Sequence, residues 1–353
     1  NKKGRIITQG KVQVDWNEEK RELSFWDNGT GMTISDVENY LLKVGASKYR
    51  DDTIKKEFPD FCSISHFGIG ILTCFMIAND IDIVTNSEEQ NDVNSINLRK
   101  VNGSYLLRRI NKSEVDKRIK NHGTMVKLYV RNDVDMSTLE DDLCKWIVLP
   151  EIPVFLTANE QHETRIGYDS LKDVLTKYLN DTGRNVDGEK YDVYEENQGN
   201  VSVAYAVRHL RYLSDWCLME IDSRRSNQKN QLPIGTCVEG IRVEFTTPGY
   251  KDSSILAIAN IKNSKYQTNV ARSAIELDAN SEVLSDIYDV YRKYIQEQMN
   301  TLEKLDYSKS WALSEGRYLM QPLVNSRYSN EHKEPVDETI LIQRMAKIKS
   351  LSL

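Results

Sequence analysis

The sequence predicts an α+β protein of two domains, on three observations. Its 353 residues, 39% hydrophobic and 28% charged, suffice for two apolar cores in a globular chain of ordinary composition. Short stretches of alternating polarity, as in strands with one buried face, recur over residues 11–130 and again over 191–261. Segments with apolar residues at helical spacing lie between and after them, above all residues 280–305.

Residues 11–15 and 21–26 alternate around Asn17, Glu18 and Glu19 and read as a hairpin. A helix is expected from Ser35, capped by that residue, with Val37, Tyr40, Leu41 and Val44 on one face. Residues 45–65 are polar, contain Pro59 and read as a mobile loop. Residues 67–79 open with glycines and turn apolar, which predicts a buried helix. Strands are expected at 81–85, 95–99, 105–109 and 124–130, followed by a polar connector at 132–140. The apolar stretch 143–156, with Pro150 and Pro153, marks the passage into a second domain. There, strands at 191–194, 201–207, 217–222, 241–246 and 255–261 accompany a helix over 170–179. Residues 280–305 form a long amphipathic helix, with Val283, Ile287, Val290, Tyr291, Tyr294 and Met299 recurring along it. The polar residues 307–353 read as a linker or extension, so the expected domains are 1–131, 132–305 and 306–353.

Composition narrows the function classes. The longest apolar run, 67–78, is broken by glycines and falls short of the ~20 residues of a membrane span. Its mid-chain position excludes a signal peptide. Forty-seven basic against fifty-three acidic residues give a net charge of −6, which argues against a dedicated nucleic-acid binder and leaves room for a local basic patch. The basic loop 224–231 reads as solvated surface, and the 18 tyrosines are scattered without a stacking platform. Five cysteines, odd in number and without a C-x-x-C pair, read as reduced thiols of a cytosolic protein. The five histidines lack metal-ligand spacing, so no zinc is expected.

Four stretches carry chemistry. Asp27-Asn28-Gly29-Thr30-Gly31-Met32 follows a strand directly. An acid at a strand end can accept the exocyclic amino hydrogen of adenine, and glycines let the backbone pass close beneath a base. His66-Phe67-Gly68-Ile69-Gly70-Ile71 stands at a helix entrance, where exposed amide N–H groups can bind phosphate oxygens. Gly123-Thr124 opens a strand. Tyr266 to Glu276 carries Arg272, whose planar fork can make a two-pronged contact with an oxyanion.

In this order the first three stretches resemble the glycine boxes of the GHKL ATPases, the superfamily of the ninety-kilodalton heat-shock chaperones, the ATP-binding component of DNA gyrase, the MutL proteins and histidine kinases. The resemblance covers residues 11–276 and implies a GHKL (Bergerat) α/β sandwich without its first helix, then a ribosomal-S5 domain-2-like middle domain. It implies that Asp27 takes the adenine amino group, with Gly31 and Thr124 acting through water and Met32 packing on the base. The backbone of Phe67, Gly68, Ile69 and Gly70 would cradle the phosphates. Asn28, Gly29 and Lys48 complete the implied nucleotide-binding set, with residues 45–65 as the lid over ATP. The fourth stretch is similar to the middle-domain arginine loop of the heat-shock chaperones: Asn269, Val270 and Arg272 match, while Ala271 and Ser273 replace a serine and a glutamate. Arg272 is thereby the implied catalytic arginine.

The family's first motif supplies a glutamate general base and a magnesium-binding asparagine. No E-x-x-x-N-x-x-D pattern occurs in the 353 residues, so the general base is not identified here. The implied function is a cytoplasmic, heat-shock-protein-90-like ATPase that couples nucleotide state to conformational change. ATP and Mg²⁺ would be its ligands, ADP its product, client proteins and a homodimer its partners, and no membrane is involved. Two other readings stay open: a DNA-associated GHKL ATPase of repair or defence type, and an ATP-gated interaction module without hydrolysis.

If residues 45–65 are a lid, trypsin will cut at Lys48, Arg50, Lys55 and Lys56 in the free protein and with ADP. A non-hydrolysable ATP analogue will protect these sites. Equal cleavage in all three states would mark the stretch as a passive loop.

Overall fold

The alternation near the start of the chain becomes a hairpin in the computed structural model, β1 (Val12–Asn17) pairing antiparallel with β2 (Glu22–Asp27). The structure describes residues 10–46, 48, 70–99, 104–159, 162–181, 190–209, 216–221, 235–244, 248, 254–262 and 282–304. Two units divide the chain, Asn1–Cys144 with Pro150–Gly167, and Lys145–Leu149 with Tyr168–Leu353.

In the first unit, β3 (Ala78–Asn86), β4 (Val93–Arg99), β5 (Ser104–Ile110), β6 (Gly123–Val130), β7 (Val154–Ala158) and β8 (Thr164–Ile166) join the hairpin. Together they make an eight-stranded sheet of order β5-β4-β3-β6-β2-β1-β7-β8. Every neighbouring pair is antiparallel except β1 with β7. One face is apolar, since Val14, Leu23, Leu128, Ile81, Ile83, Ile96 and Leu98 are all buried there. The other face carries polar side chains in rows. Lys127 pairs with Glu22 at 3.0 Å, and Asp82 accepts from Tyr129 at 2.9 Å, Asn97 at 2.7 Å and Arg99 at 2.9 Å. Burial and the Asp82 carboxylate push the Tyr129 phenol up to about 12, so it remains a donor at neutral pH.

Strands β7 and β8 come from the stretch around and beyond residues 143–156, where the sequence pattern set the passage into a second domain. The physical reason is register: Val154 and Leu156 stand beside Val12 and Val14, so β7 continues the first apolar face. The first helix also begins earlier than expected. Thr33, not Ser35, caps α1 (Ile34–Asp36), because Asp36 returns the bond to the Thr33 backbone in a capping box. A π-helical turn, Val37–Leu41, follows and buries Val37. Of the buried helix expected over 67–79, the described part is α2 (Gly70–Thr73) and a 3₁₀ turn (Cys74–Met76), neither with a buried residue. Arg131 stops it: its guanidinium takes the carbonyls of Phe75 at 3.2 Å and Met76 at 2.8 Å, and its N–H that of Ile77 at 2.9 Å.

The second unit contains α4 (Leu171–Asp181), which follows α3 (Leu139–Trp146) in the chain, and the 23-residue helix α5 (Glu282–Lys304). Its strands are β9 (Lys190–Gln198), β10 (Val201–His209), β11 (Trp216–Leu218), β12 (Gly235–Val238), β13 (Ile241–Glu244) and β14 (Ala257–Ile261). Their order is β11-β10-β14-β12-β13, with β9 on β10 and a parallel β12–β14 pair. Ser170 caps α4, its hydroxyl accepting from the Asp173 N–H at 3.0 Å. Val201, Val203, Tyr205 and Val207 pack with α5, whereas Ala204 and Ala206 pack with Leu171, Val174, Leu175 and Tyr178 of α4. A sheet covered on both faces explains why β10 and β14 are near-continuous apolar runs. Burial pushes the Cys237 thiol up to about 12 despite nearby Arg242, so this cysteine is core filling and not a nucleophile.

Gly240 closes the β12–β13 turn at φ +79, and a Cβ there would overlap the Leu149 carbonyl. Its own carbonyl accepts from Val148 and Leu149, both at 3.0 Å, and its N–H donates to buried Asn260 at 2.8 Å. Gly240→Ala should therefore lower the stability of this unit by more than the ~1–3 kcal/mol of a strained residue. Urea denaturation followed by the fluorescence of Trp216, which packs on this core, is the measurement; an unchanged midpoint would contradict the close approach.

Candidate functional site

Four neighbouring strands, β2, β6, β3 and β4, each end their apolar alternation on a polar residue. Leu23 and Phe25 lead to Asp27, Leu128 and Val126 to Thr124, Ile81 and Ile83 to Thr85, and Leu98 and Ile96 to Asn94. Register sets these four side by side, Asp27 opposite Thr124, Thr124 opposite Thr85, Thr85 opposite Asn94. A polar row thus crosses one end of an otherwise apolar sheet face.

The row is bonded within itself and to the loop after β2. The Thr85 and Thr124 hydroxyls are 3.0 Å apart, and Thr85 accepts from the Met32 N–H at 2.8 Å. Asn94 donates to the Met32 carbonyl and to Gln90 Oε1, each at 3.2 Å, and Gln90 accepts from the Ile34 N–H at 3.2 Å. Thr85 and Asn94 are buried, and these bonds offset the cost of burying them. Gly31 has φ +67, and a Cβ there would overlap the Asn86 carbonyl. Gly123 has φ +131, and a Cβ there would meet the Asp27 carbonyl. Both positions require glycine for conformation and for space. The Asn86 side chain holds the turn before β6, donating to Ile119 at 3.0 Å and Lys120 at 2.7 Å.

Asp27 is half-buried and its Oδ1 accepts from the Gly29 N–H at 2.8 Å. Burial pushes its carboxyl above the usual range, against backbone hydrogen bonds from Gly29 and Thr124 and the neighbouring His122. The result is a carboxylate, two hydroxyls and an amide at one edge of an apolar face. Such a set can accept hydrogen bonds from an amine-bearing ring while apolar neighbours contact its faces.

Asp27, Gly29, Gly31, Met32 and Thr124 come together here. Asn28 lies beside them with its side chain turned to β1, accepting from the Lys11 N–H at 2.7 Å. Lys48 pairs with Asp36 at 2.7 Å. Burial raises the Asp36 carboxyl, but hydrogen bonds from Lys48 and Thr33 outweigh it and hold the group below its ordinary range. Gly70 opens α2, its carbonyl accepting from the Thr73 hydroxyl at 2.7 Å. Phe67, Gly68, Ile69 and Arg272 lie outside the described residues. Thr85, Asn94 and His122 are members that the sequence motifs did not single out. For Thr85 and Asn94 the signal was present, since each breaks an apolar alternation on the core face.

Residues 7–124 match the family model described as histidine kinase-, DNA gyrase B-, and HSP90-like ATPase. This stretch holds the hairpin, the glycine loop and the polar row as far as Thr124, and its similarity is to GHKL-type ATPase domains. Among curated proteins, the chain is similar to the chaperone protein HtpG of Oceanobacillus iheyensis, 24% identical over 176 residues, 46% of this chain and 27% of that protein. The chaperone protein HtpG of Campylobacter jejuni is 26% identical over 170 residues, 47% and 26% of the two chains. That of Buchnera aphidicola is 26% identical over 129 residues, 35% and 19%. The chain thus spans about a fifth to a quarter of the length of these relatives. Among the described residues no helix is long and apolar enough to cross a membrane, and no three His, Cys, Asp or Glu side chains group as a metal site.

The raised Asp27 carboxyl has a consequence for stability. The folded state holds its proton more tightly than the unfolded chain, so this group's contribution is most favourable in acid and is lost as pH rises through the folded value. Asp27→Asn should therefore melt at a higher temperature than wild type at about pH 7.5, and the gap should close towards about pH 3, where both side chains are neutral. Ligand-free melting curves at the two pH values decide it; a wild type equally stable at neutral pH would contradict the costly carboxylate.

Proposed function

We propose that this protein binds ATP at the Asp27 row and hydrolyses it, coupling nucleotide state to conformational change as a heat-shock-protein-90-like ATPase. The observation that carries this is the half-buried carboxylate at the sheet end, flanked by the Thr85 and Thr124 hydroxyls, within a domain that matches the GHKL model. A carboxylate accepts from the adenine amino group. It would face the carbonyl oxygen of guanine with two acceptors and no proton between them, so ATP is selected over GTP.

The remaining roles follow the family resemblance. Gly31 and Thr124 assist Asp27 through water, Met32 packs on the base, and Asn28 and Gly29 shape the loop. Phe67, Gly68, Ile69 and Gly70 cradle the phosphates, and Lys48 belongs to the lid segment. Arg272 comes from the ribosomal-S5 domain-2-like part of the chain, for which the two-faced α/β sheet of the second unit is support. Magnesium would accompany the phosphates, and the described residues offer no carboxylate cluster for it. Client proteins, a homodimer and a cytoplasmic setting complete the reading, in keeping with the chaperone names of the relatives.

Calorimetry on the full-length protein should give ATP affinity well above GTP affinity, and Asp27→Asn should lower it roughly ten- to a hundredfold. Arg272→Ala should cut turnover by about 10²-fold with affinity nearly intact, and Arg272→Lys should rescue little, since an ammonium lacks the two-pronged contact. Wild-type turnover in Arg272→Ala would remove the arginine from the active site. Stimulation of turnover by DNA would instead favour a DNA-associated ATPase of repair or defence type.

A further inference from the structure

His122 stands one residue before β6, and its Nδ1 lies 2.7 Å from the Gly29 carbonyl oxygen. A carbonyl only accepts, so Nδ1 carries the proton and the neutral ring is the Nδ1–H tautomer. Its other nitrogen, Nε2, lies 3.9 Å from Glu88 Oε1, and the side chain is 24% exposed. Gly29 is therefore held from two directions: its carbonyl by His122, its N–H on Asp27 Oδ1 at 2.8 Å. The charged groups set against the imidazole are Asp27 from the end of β2 and Glu88 from the turn after β3; Lys120, two residues before it in the chain, is exposed.

We propose that His122 is a positioning residue of this site: it clamps Gly29 through Nδ1–H and, when protonated, holds the Asp27 carboxylate ionised. This rests on the nucleotide reading above and extends it to pH. The two contributions have different pH dependence. The Nδ1–H bond exists in both protonation states, whereas the positive charge exists only in acid. A positive charge on this imidazole, one residue's hydrogen bonds away from the carboxylate, opposes protonation of Asp27. Acceptance of the adenine amino hydrogen then persists to lower pH than the half-buried carboxylate alone would permit.

His122→Asn separates the two, because its amide keeps an N–H for Gly29 and cannot carry charge. In nucleotide-free protein, ¹³C NMR of the Asp27 carboxyl should show a higher titration midpoint in His122→Asn than in wild type. The ratio of variant to wild-type ATP affinity, in which titration of the nucleotide's own phosphates cancels, should be near one at about pH 8 and fall about threefold or more by about pH 5. His122→Ala, which also loses the clamp, should bind about three- to tenfold more weakly across the whole range. An Asp27 midpoint identical in wild type and His122→Asn overturns the proposal, as does an affinity ratio that does not change with pH. A shifted midpoint in a wild-type protein that binds no ATP would instead sink the nucleotide reading and leave the His122–Asp27 coupling standing.

Discussion

Strand register across β4, β3, β6 and β2 governs the first unit, because side chains alternate faces with a period of two. A slip of one residue in any of the three pairings would carry Ile81, Ile83, Leu128 or Leu23 to the polar face. The same slip would dismantle the row of Asp27, Thr124, Thr85 and Asn94. Core and site thus share one specification: the apolar residues fix the alignment, and the polar row marks where it ends. Burying hydroxyls and an amide at a sheet end is unfavourable unless each finds a partner, and here they find one another and the Met32 backbone. Gly31 and Gly123 let two chain segments approach backbone to backbone, so the loop after β2 can lie against the ends of β3 and β6.

Much of this arrangement was legible in the sequence, for physical reasons that differ by element. The hairpin, β4 to β6 and the long helix α5 are local patterns, and local patterns survive in a linear reading. The Asp27 loop was legible because its glycines and acid are contiguous. The position of β7 was not, since a parallel neighbour is chosen by an alignment with β1 that no window of residues contains. The α1 cap shifted from Ser35 to Thr33 although both residues can cap and both have an acid three positions on, Glu38 and Asp36; the reciprocal box closes between Thr33 and Asp36, while Ser35 Oγ accepts from Asn39. The 67–79 helix was overestimated because its stop signal, Arg131, lies far along the chain. Continuous apolar runs in β10 and β14 marked strands, but which residue faces which helix required the sheet itself.

The second unit solves a different packing problem. Its sheet is covered twice, so both residue parities must be apolar, and size sorts the two faces. Alanines at 204 and 206 stand under the 11-residue α4, while valines and Tyr205 stand under the longer α5. On the α5 side the tyrosines, scattered in sequence, converge: Tyr205 lies edge-on to Tyr291 and Tyr294 at 6.0 and 5.3 Å and stacks on Tyr194 at 5.9 Å. Offset and edge-on ring pairs favour one relative placement of helix and sheet over a sliding apolar contact. The Tyr294 hydroxyl finds the Trp216 carbonyl at 2.9 Å, which fixes the helix at a further point.

The parallel pairing of β1 with β7 also imposes an order of events during synthesis. The hairpin partner of β1 follows within a few residues, but the strand that covers its other edge is made about 140 residues later, roughly 7–30 s at ordinary elongation rates. Through that interval a bare row of backbone donors and acceptors, backed by Val12 and Val14, is available to any extended segment, including that of a neighbouring nascent chain. The first unit is in this sense sequenced by the ribosome: its edge stays open while the strands from β3 to β6 assemble on the far side of the hairpin, and it closes from the late end.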